Sequence, residues 1–105
     1  MSLAFGSLSL TPTSVRVNGR HLCLTTREHL VLRTLVAMQA SGERDLTTRQ
    51  ELCDAMRELY PEGPTGTDIR TLLYKLRQKL IASRAGIHIK TEVGVGYRLV
   101  KAGSA

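Results

Sequence analysis

Cationic, hydroxyl and amide side chains recur on one side of a predicted helix in the last third of the chain. We predict this third helix from about Thr67 or Asp68 to about Ser83, with leucines on its buried side. At about 100° per residue, the opposite side carries six polar residues: Thr67, Arg70, Thr71, Tyr74, Lys75 and Gln78. Arginine, lysine and glutamine pair with base edges in the major groove. Phosphates accept from cations and hydroxyl groups, so this face suits duplex DNA.

The positive charge of the chain is concentrated in the same segment. The net charge is +6. Residues 1–65 contain seven arginines and seven acidic residues, whereas residues 66–105 contain eight lysines and arginines against two acidic residues, Asp68 and Glu92. The third helix lacks acidic partners at i,i+4, so its cations are predicted to remain outside salt bridges. This local excess favours an anionic partner over an ordinary solvated helix face.

Recognisable catalytic and metal-binding patterns are missing from the sequence. Gly94-Val95-Gly96 lacks the third glycine and the following helix of a nucleotide-binding loop, so it is predicted to be a turn. The histidines and cysteines are scattered over separate predicted elements: His21, His29, His88, Cys23 and Cys53. No metal-ligand spacing links them, and no serine stands in a nucleophile elbow. The sequence therefore predicts no enzyme, cofactor or metal site, and two buried free thiols.

Length and composition indicate one small globular domain. A chain of 105 residues with 42% hydrophobic content can form a single core. No apolar run approaches the roughly 18 residues of a membrane span, and residues 1–10 lack a secretory signal. We therefore expect a cytoplasmic protein with no membrane partner. Within the domain, residues 1–105, we predict a sheet over 1–24, three helices over 25–83 and a hairpin over 87–101.

Alternation and cap residues predict the first elements. Paired apolar residues at period two indicate short strands: Leu8 and Leu10, Val15 and Val17, Leu22 and Leu24. Asn18-Gly19 predicts a tight hairpin turn because both residues tolerate positive φ. Thr25 with Glu28, and Thr47-Thr48 with Glu51, have the spacing of capping boxes at the starts of two helices.

The second helix and its exit are predicted from spacing and from breakers. One apolar face of this helix would point inward: Leu52, Met56, Leu59 and Tyr60. The segment Pro61–Gly66 contains two prolines and two glycines, so it is predicted to be a loop.

The end of the chain predicts a helix followed by a hairpin. One stripe of the third helix faces the core: Ile69, Leu72, Leu73, Leu76 and Leu80. Residues 87–91 alternate as a strand, and residues 97–100 return as a second strand after the Gly94–Gly96 turn. A small antiparallel sheet, three helices and a C-terminal hairpin are the outline of an α+β winged helix-turn-helix, in which the hairpin is the wing.

The chain resembles the OmpR/PhoB-type effector domain of bacterial response regulators over nearly its whole length. Four motifs in the family's order carry this resemblance: Val15–Gly19, Leu24–Glu28, Leu76–Leu80 and Thr91–Arg98. The resemblance implies a domain of a two-component system that binds double-stranded DNA and regulates transcription. The alternative is a winged helix that binds a protein partner instead of DNA.

The resemblance also implies a set of DNA-contacting residues. Two correspond to base readers: Arg70 and Lys75. Four correspond to phosphate contacts: Tyr74, Arg77, Thr91 and Tyr97. Two correspond to positions that approach phosphate at a helix N-terminus: Thr48 and Arg49. The polar surface adds four more candidates: Thr71, Gln78, Lys90 and Arg98.

Two positions depart from the family's pattern. Arg70 stands where the family commonly has an acidic residue, which implies a different base preference. Val93 stands where many members have an arginine that enters the minor groove, and Lys90 replaces that contact only in part. The resemblance further implies self-association on direct-repeat sites and an RNA polymerase contact through the Pro61–Gly66 loop. In the family a phosphorylated receiver domain usually precedes this domain, and this sequence contains none.

Overall fold

The computed structural model describes residues 3–11, 14–40, 47–57, 66–92 and 94–101. In this part of the chain, four short strands precede three helices and two longer strands. The elements are β1 (Leu3–Phe5), β2 (Leu8–Leu10), β3 (Val15–Val17), β4 (Arg20–His21), α1 (Thr26–Ala40), α2 (Arg49–Ala55), α3 (Gly66–Ala82), β5 (Ile87–Glu92) and β6 (Gly96–Lys101). Their order confirms the predicted α+β winged-helix outline.

The four N-terminal strands form one antiparallel sheet in the order β1-β2-β3-β4. Leu8 and Leu10 of β2 lie opposite Val17 and Val15 of β3, and all four side chains are buried. The Asn18-Gly19 turn has φ angles of 51° and 81°, which confirms the predicted hairpin turn. The alternating apolar residues of this sheet therefore contribute to the core.

The sheet lies within the predicted range 1–24, but its first and last strands are not the predicted ones. Leu3–Phe5 forms an additional strand, which pairs with Leu8–Leu10. The last strand, Arg20–His21, stops before Leu22 and Leu24. Leu22 retains one backbone hydrogen bond to the Val15 carbonyl oxygen, at 2.8 Å. The chain then leaves the sheet because it must enter α1.

Both predicted capping boxes are present. The Thr25 hydroxyl accepts from the Glu28 backbone amide at 3.2 Å, and the Glu28 carboxylate accepts from the Thr25 amide at 2.9 Å. Thr48 and Glu51 make the same pair of bonds, both at 3.1 Å. Each cap contributes about 1 kcal/mol, and together they fix where the chain enters α1 and α2.

The second helix is shorter than predicted. It ends at Ala55, and Met56 forms its C-cap, with an amide that donates to the Leu52 carbonyl oxygen. Leu52 and Met56 are fully buried, as their spacing predicts. Leu59 and Tyr60 lie outside the described residues. Of the predicted inward face, Leu52 therefore lies on α2 itself, and Met56 is buried at its C-cap.

The leucine stripe of α3 lies at the centre of the core. Its predicted members are all buried: Ile69, Leu72, Leu73, Leu76 and Leu80. The helix packs against α1, α2 and β5. Burying one such side chain stabilises the fold by about 1.5–3 kcal/mol. Because this stripe is anchored, the polar side of α3 must face away from the protein.

Strands β5 and β6 pair along their full length, and the edge of β6 that faces away from β5 is also hydrogen-bonded. The pairs extend from Ile87 opposite Lys101 to Glu92 opposite Gly96. On its other edge, Tyr97 exchanges two backbone hydrogen bonds of 2.8 Å with Thr47. The Leu99 amide donates to Gln39 Oε1 at 2.6 Å, and the Leu99 carbonyl accepts from Gln39 Nε2 at 3.1 Å. These contacts fix β6 against α1 and the start of α2.

Gly96 stands where β6 approaches the chain that enters α2. A Cβ atom at this position would overlap the carbonyl oxygen of Thr47 and would lie 2.9 Å from the Cα atom of Thr48. Both obstacles are backbone atoms, which cannot rotate away as a side chain can. Glycine is therefore required here by the close approach of two backbones.

The cysteines are free, but the prediction that they are buried is wrong. Cys23 is exposed and Cys53 is partly buried. Cys23 is exposed because its neighbours Leu22 and Leu24 turn toward the core and leave it on the opposite side of the extended chain. Among the described residues, no three His, Cys, Asp or Glu side chains could hold a metal ion. None of the helices described above is long and apolar enough to cross a membrane.

Candidate nucleic-acid interface

The exposed side of α3 carries five of the predicted contact residues: Arg70, Thr71, Tyr74, Lys75 and Gln78. Tyr74 is 62% exposed. Within the described part of the chain, neither Arg70 nor Lys75 forms a salt bridge. The side chain of Thr67 lies outside the described residues. The structure thus presents, on one accessible helix face, two hydroxyl groups, an amide and two cations that form no salt bridge with any other described residue.

Arg77 lies at the edge of this face and joins α3 to the hairpin. Its Nε donates to the Ile89 carbonyl oxygen at 3.1 Å, and its Nη2 donates to Thr91 Oγ1 at 2.5 Å. The side chain is partly buried, whereas Thr91 is exposed. Two of the guanidinium N–H groups are therefore used inside the domain.

Thr91 and Tyr97 face each other across the hairpin, on the side that packs against the helices. They are a cross-strand pair, and alternation places them on the same side as the buried Ile89 and Leu99. A shallow groove beside them is lined by the wing and by the start of α2: Thr48, Arg49, Gln50, Thr91, Glu92, Gly94, Val95, Gly96 and Tyr97. The fold thus brings Thr48 and Arg49 together with Thr91 and Tyr97.

Lys90 and Arg98 lie on the opposite side of the hairpin, and both bind Glu92. Arg98 Nη2 lies 2.8 Å and Lys90 Nζ lies 3.5 Å from Glu92 Oε1. The hydrogen bond from Arg98, with a further contribution from Lys90, holds the pKa of Glu92 below its ordinary value near 4.5. At neutral pH the carboxylate is therefore ionised, and it offsets part of the wing's positive charge.

Lys79 is also paired, so the prediction that the cations of the third helix remain outside salt bridges is wrong for this residue. Its Nζ lies 2.6 Å from Glu28 Oε1, and Glu28 is 1% exposed. Burial alone would raise the pKa of Glu28, but hydrogen bonds from Lys79 and Thr25 outweigh burial and hold the pKa below its ordinary value near 4.5. Sequence spacing misses this pair because Glu28 belongs to α1.

Sequence reasoning also missed the two other polar side chains that line the groove, Gln50 and Glu92. Gln50 is exposed in the first turn of α2, and its Nε2 donates to Asp54 Oδ1 at 3.0 Å. Gln50 directly follows Arg49, a predicted contact residue, at the start of a capped helix. This position could have identified it as a further candidate contact residue. Glu92 gave no such signal, because its pairing with Arg98 depends on the register of the hairpin.

A family comparison identifies this arrangement. Residues 19–99 match the family described as the C-terminal domain of transcriptional regulatory proteins. The chain belongs to this family. As a transcriptional regulatory C-terminal domain, it is a DNA-binding domain of the OmpR/PhoB type and not an enzyme, and the resemblance seen in the sequence is confirmed.

Solved structures place this transcriptional regulatory domain among winged helices. It is similar to the DNA-binding domain of Klebsiella pneumoniae RstA in complex with the RstA box, with 25% identity, 96% coverage of both chains and a TM-score of 0.67. It is similar to the DNA-binding domain of CpxR from E. coli, with 26% identity, 98% coverage of this chain, 99% of that chain and a TM-score of 0.71.

A third similar structure shares the fold. It comes from a family of redox sensors in the streptococci that evolved from two-component response regulators, with 24% identity and a TM-score of 0.75. The match covers 97% of this domain and 44% of that chain. No curated protein sequence matches the chain.

Proposed function

We propose that this domain binds double-stranded DNA sequence-specifically, with α3 in the major groove and the hairpin of β5 and β6 on the phosphate backbone. The accessible α3 face, with Arg70 and Lys75 outside any salt bridge of the described residues, is the observation that carries the proposal. A major groove about 12 Å wide admits one helix. The similar domain from Klebsiella pneumoniae was solved in complex with its own DNA box, which supports DNA binding by this fold.

Within this proposal, the residues of α3 divide by chemistry. Arg70 and Lys75 would read guanine, and Gln78 would pair with adenine. Thr71 lies between them on the same face, where its methyl group suits contact with thymine. Tyr74 would donate its hydroxyl to a phosphate.

The wing and α2 would contact the phosphate backbone. Thr91, Tyr97, Thr48 and Arg49 border one groove, so they would bind neighbouring phosphates of one strand. Lys90 and Arg98 would meet phosphate only beyond that groove, since they occupy the other side of the hairpin. Self-association on direct repeats is a further proposal. The proposed RNA polymerase contact falls on the Pro61–Gly66 loop, of which residues 61–65 lie outside the described residues.

We expect DNA binding to depend steeply on salt. If about five phosphates are neutralised, log affinity falls against log salt with a slope near −4 to −5. Fluorescence anisotropy with a labelled duplex, chosen from those that the domain selects out of random DNA, measures this slope. A flat salt response, or no binding at low salt, would instead favour a winged helix that binds a protein partner.

Lys75→Ala is expected to relax sequence preference, because each lost base contact costs about 1–3 kcal/mol for the preferred site alone. Arg20→Ala is the matched control, since it removes the same charge from the exposed hairpin of the N-terminal sheet. Selection from random DNA compares the two variants with the parent. Equal preference in all three would show that the exposed face of α3 does not read bases.

Glu92→Gln is expected to strengthen DNA binding. The change releases Arg98 and Lys90 from their shared carboxylate. Each released cation that reaches a phosphate steepens the salt slope by about 0.9. Asp54→Asn is the control, because it makes the same charge change and frees Arg57, which follows the end of α2. Equal gains in DNA affinity in the two variants would point to overall charge alone. No gain in affinity for Glu92→Gln would show that Lys90 and Arg98 do not contact DNA.

A further inference from the structure

The contacts of Arg77 differ from those of a cation that is free to bind phosphate. Its Nε and Nη2 both donate to the wing, to Ile89 and Thr91. A guanidinium group is planar, and its five donors have fixed directions. Two bonds to two residues of one strand therefore set the orientation of the whole group and of the strand against α3.

The bond to Thr91 also decides what the threonine hydroxyl can do. Arginine has no acceptor, so Thr91 Oγ1 must accept in the 2.5 Å bond from Arg77 Nη2. The hydroxyl hydrogen then has to point to another acceptor. Thr91 is exposed, and it borders the groove between the wing and α2. A phosphate oxygen, which only accepts, is the complementary partner.

We propose that Arg77 is a positioning residue that acts through Thr91, holding the wing against α3 and aiming the Thr91 hydroxyl as a donor to a DNA phosphate. This inference rests on the proposed function. This positioning role of Arg77 and a direct ionic contact between Arg77 and phosphate lead to different measurable results. A direct contact needs only the positive charge of Arg77, whereas the positioning role needs the fork of the guanidinium group.

Arg77→Lys separates the two roles because it keeps the charge and removes the fork. We expect about a tenfold loss of affinity, the effect of losing one hydrogen bond to a charged group, with the salt slope unchanged. The probe is a labelled duplex that the parent selects from random DNA. Arg77→Ala should also leave the slope within about half a unit of the parent, whereas loss of a direct phosphate contact lowers it by about 0.9.

Thr91 variants supply the matched controls. Thr91→Val removes the hydroxyl at nearly constant shape and should lose about as much affinity as Arg77→Lys. Thr91→Ser keeps the hydroxyl and should bind within a few-fold of the parent. Because the two residues act as one unit, the double variant Arg77→Lys/Thr91→Val should bind about as weakly as either single variant.

Four outcomes would overturn the inference. They are parent-like binding by Arg77→Lys, a salt slope lowered by about 0.9 in Arg77→Ala, losses that multiply in the double variant, and Thr91→Val binding as tightly as Thr91→Ser. Thermal unfolding of each variant shows whether an affinity loss reflects a loss of fold. If the parent itself shows no salt-sensitive DNA binding, the proposed function fails instead. The Arg77 Nε–H resonance of the free domain tests the contact separately, since its bond to Ile89 predicts slowed hydrogen exchange.

Discussion

Gly96→Ala is expected to destabilise the domain by about 3 kcal/mol, the upper range for inserting a group into a packed site. The new methyl group would overlap the Thr47 carbonyl oxygen, so β6 must move away from the start of α2. The two hydrogen bonds between Tyr97 and Thr47 then lengthen or break, at about 1 kcal/mol each. Urea unfolding measures the change.

Gly94→Ala is the matched control for this experiment. Gly94 has a φ of +76°, and nothing lies within 4 Å of its added Cβ atom. The only cost is therefore backbone strain, about 1–2 kcal/mol. If the Gly96 variant unfolds at the same urea concentration as the Gly94 variant, close backbone approach does not explain the glycine. Since the wing would shift, Gly96→Ala should also bind DNA more weakly than Gly94→Ala.

Lys79→Met is expected to cost a comparable amount, because it leaves the Glu28 carboxylate buried without its cation. Breaking a buried ion pair from one side costs about 3–5 kcal/mol. The lower end applies here, since the Lys79 side chain is 37% exposed and water partly compensates. The second carboxylate oxygen of Glu28 has no hydrogen-bond partner among the described residues, so without Lys79 the charge is stabilised mainly by the hydrogen bonds with Thr25.

The effect of this substitution should depend on pH. In the parent, the lowered pKa of Glu28 contributes stability that is fully present above its ordinary pKa near 4.5 and is lost as pH falls through the folded-state pKa. Without Lys79, burial is less opposed and the pKa of Glu28 rises. The stability difference between parent and variant should therefore be largest above the raised pKa of Glu28 in the variant, and it should narrow as pH falls toward the lowered pKa of Glu28 in the parent. Urea unfolding at several pH values measures this difference.

Glu28→Gln in the Lys79→Met background identifies the cause. Glutamine can keep the capping bond to Thr25 while removing the charge, so the double variant should recover much of the lost stability. Failure to recover would assign the loss to packing of the lysine stem instead. If the stability difference between the parent and Lys79→Met instead grew as the pH was lowered, the ionic explanation would be contradicted.

The features that sequence predicts well are local. Thr25 with Glu28 and Asn18 with Gly19 act within one turn of chain, so their residue types alone determine the geometry. The stripe around Leu76 is equally local, because a helical period places its members on one side without reference to a partner. The exposed face of α3 follows from that stripe, and this is why its predicted residues lie together.

The features that sequence does not predict are contacts between distant segments. Leu3–Phe5 becomes a strand only because β2 offers it an edge. Glu92 meets Arg98 through the hairpin register, and Lys79 meets Glu28 through the packing of α3 on α1. In each case the sequence shows which residue types are present, but the tertiary fold decides which of them meet. For this reason the sequence alone does not distinguish the paired cations, such as Lys79 and Arg98, from the cations that form no salt bridge among the described residues.

The side-chain amide of Gln39 has a consequence for how copies of this domain can meet. An uncovered strand edge is a template for adding foreign strands, and this route leads to aggregation. Gln39 donates and accepts at Leu99 as a neighbouring strand would, and Thr47 does the same at Tyr97. The backbone groups of Tyr97 and Leu99 on this edge of β6 are therefore already bonded, and they are not open to a strand from another copy of the domain.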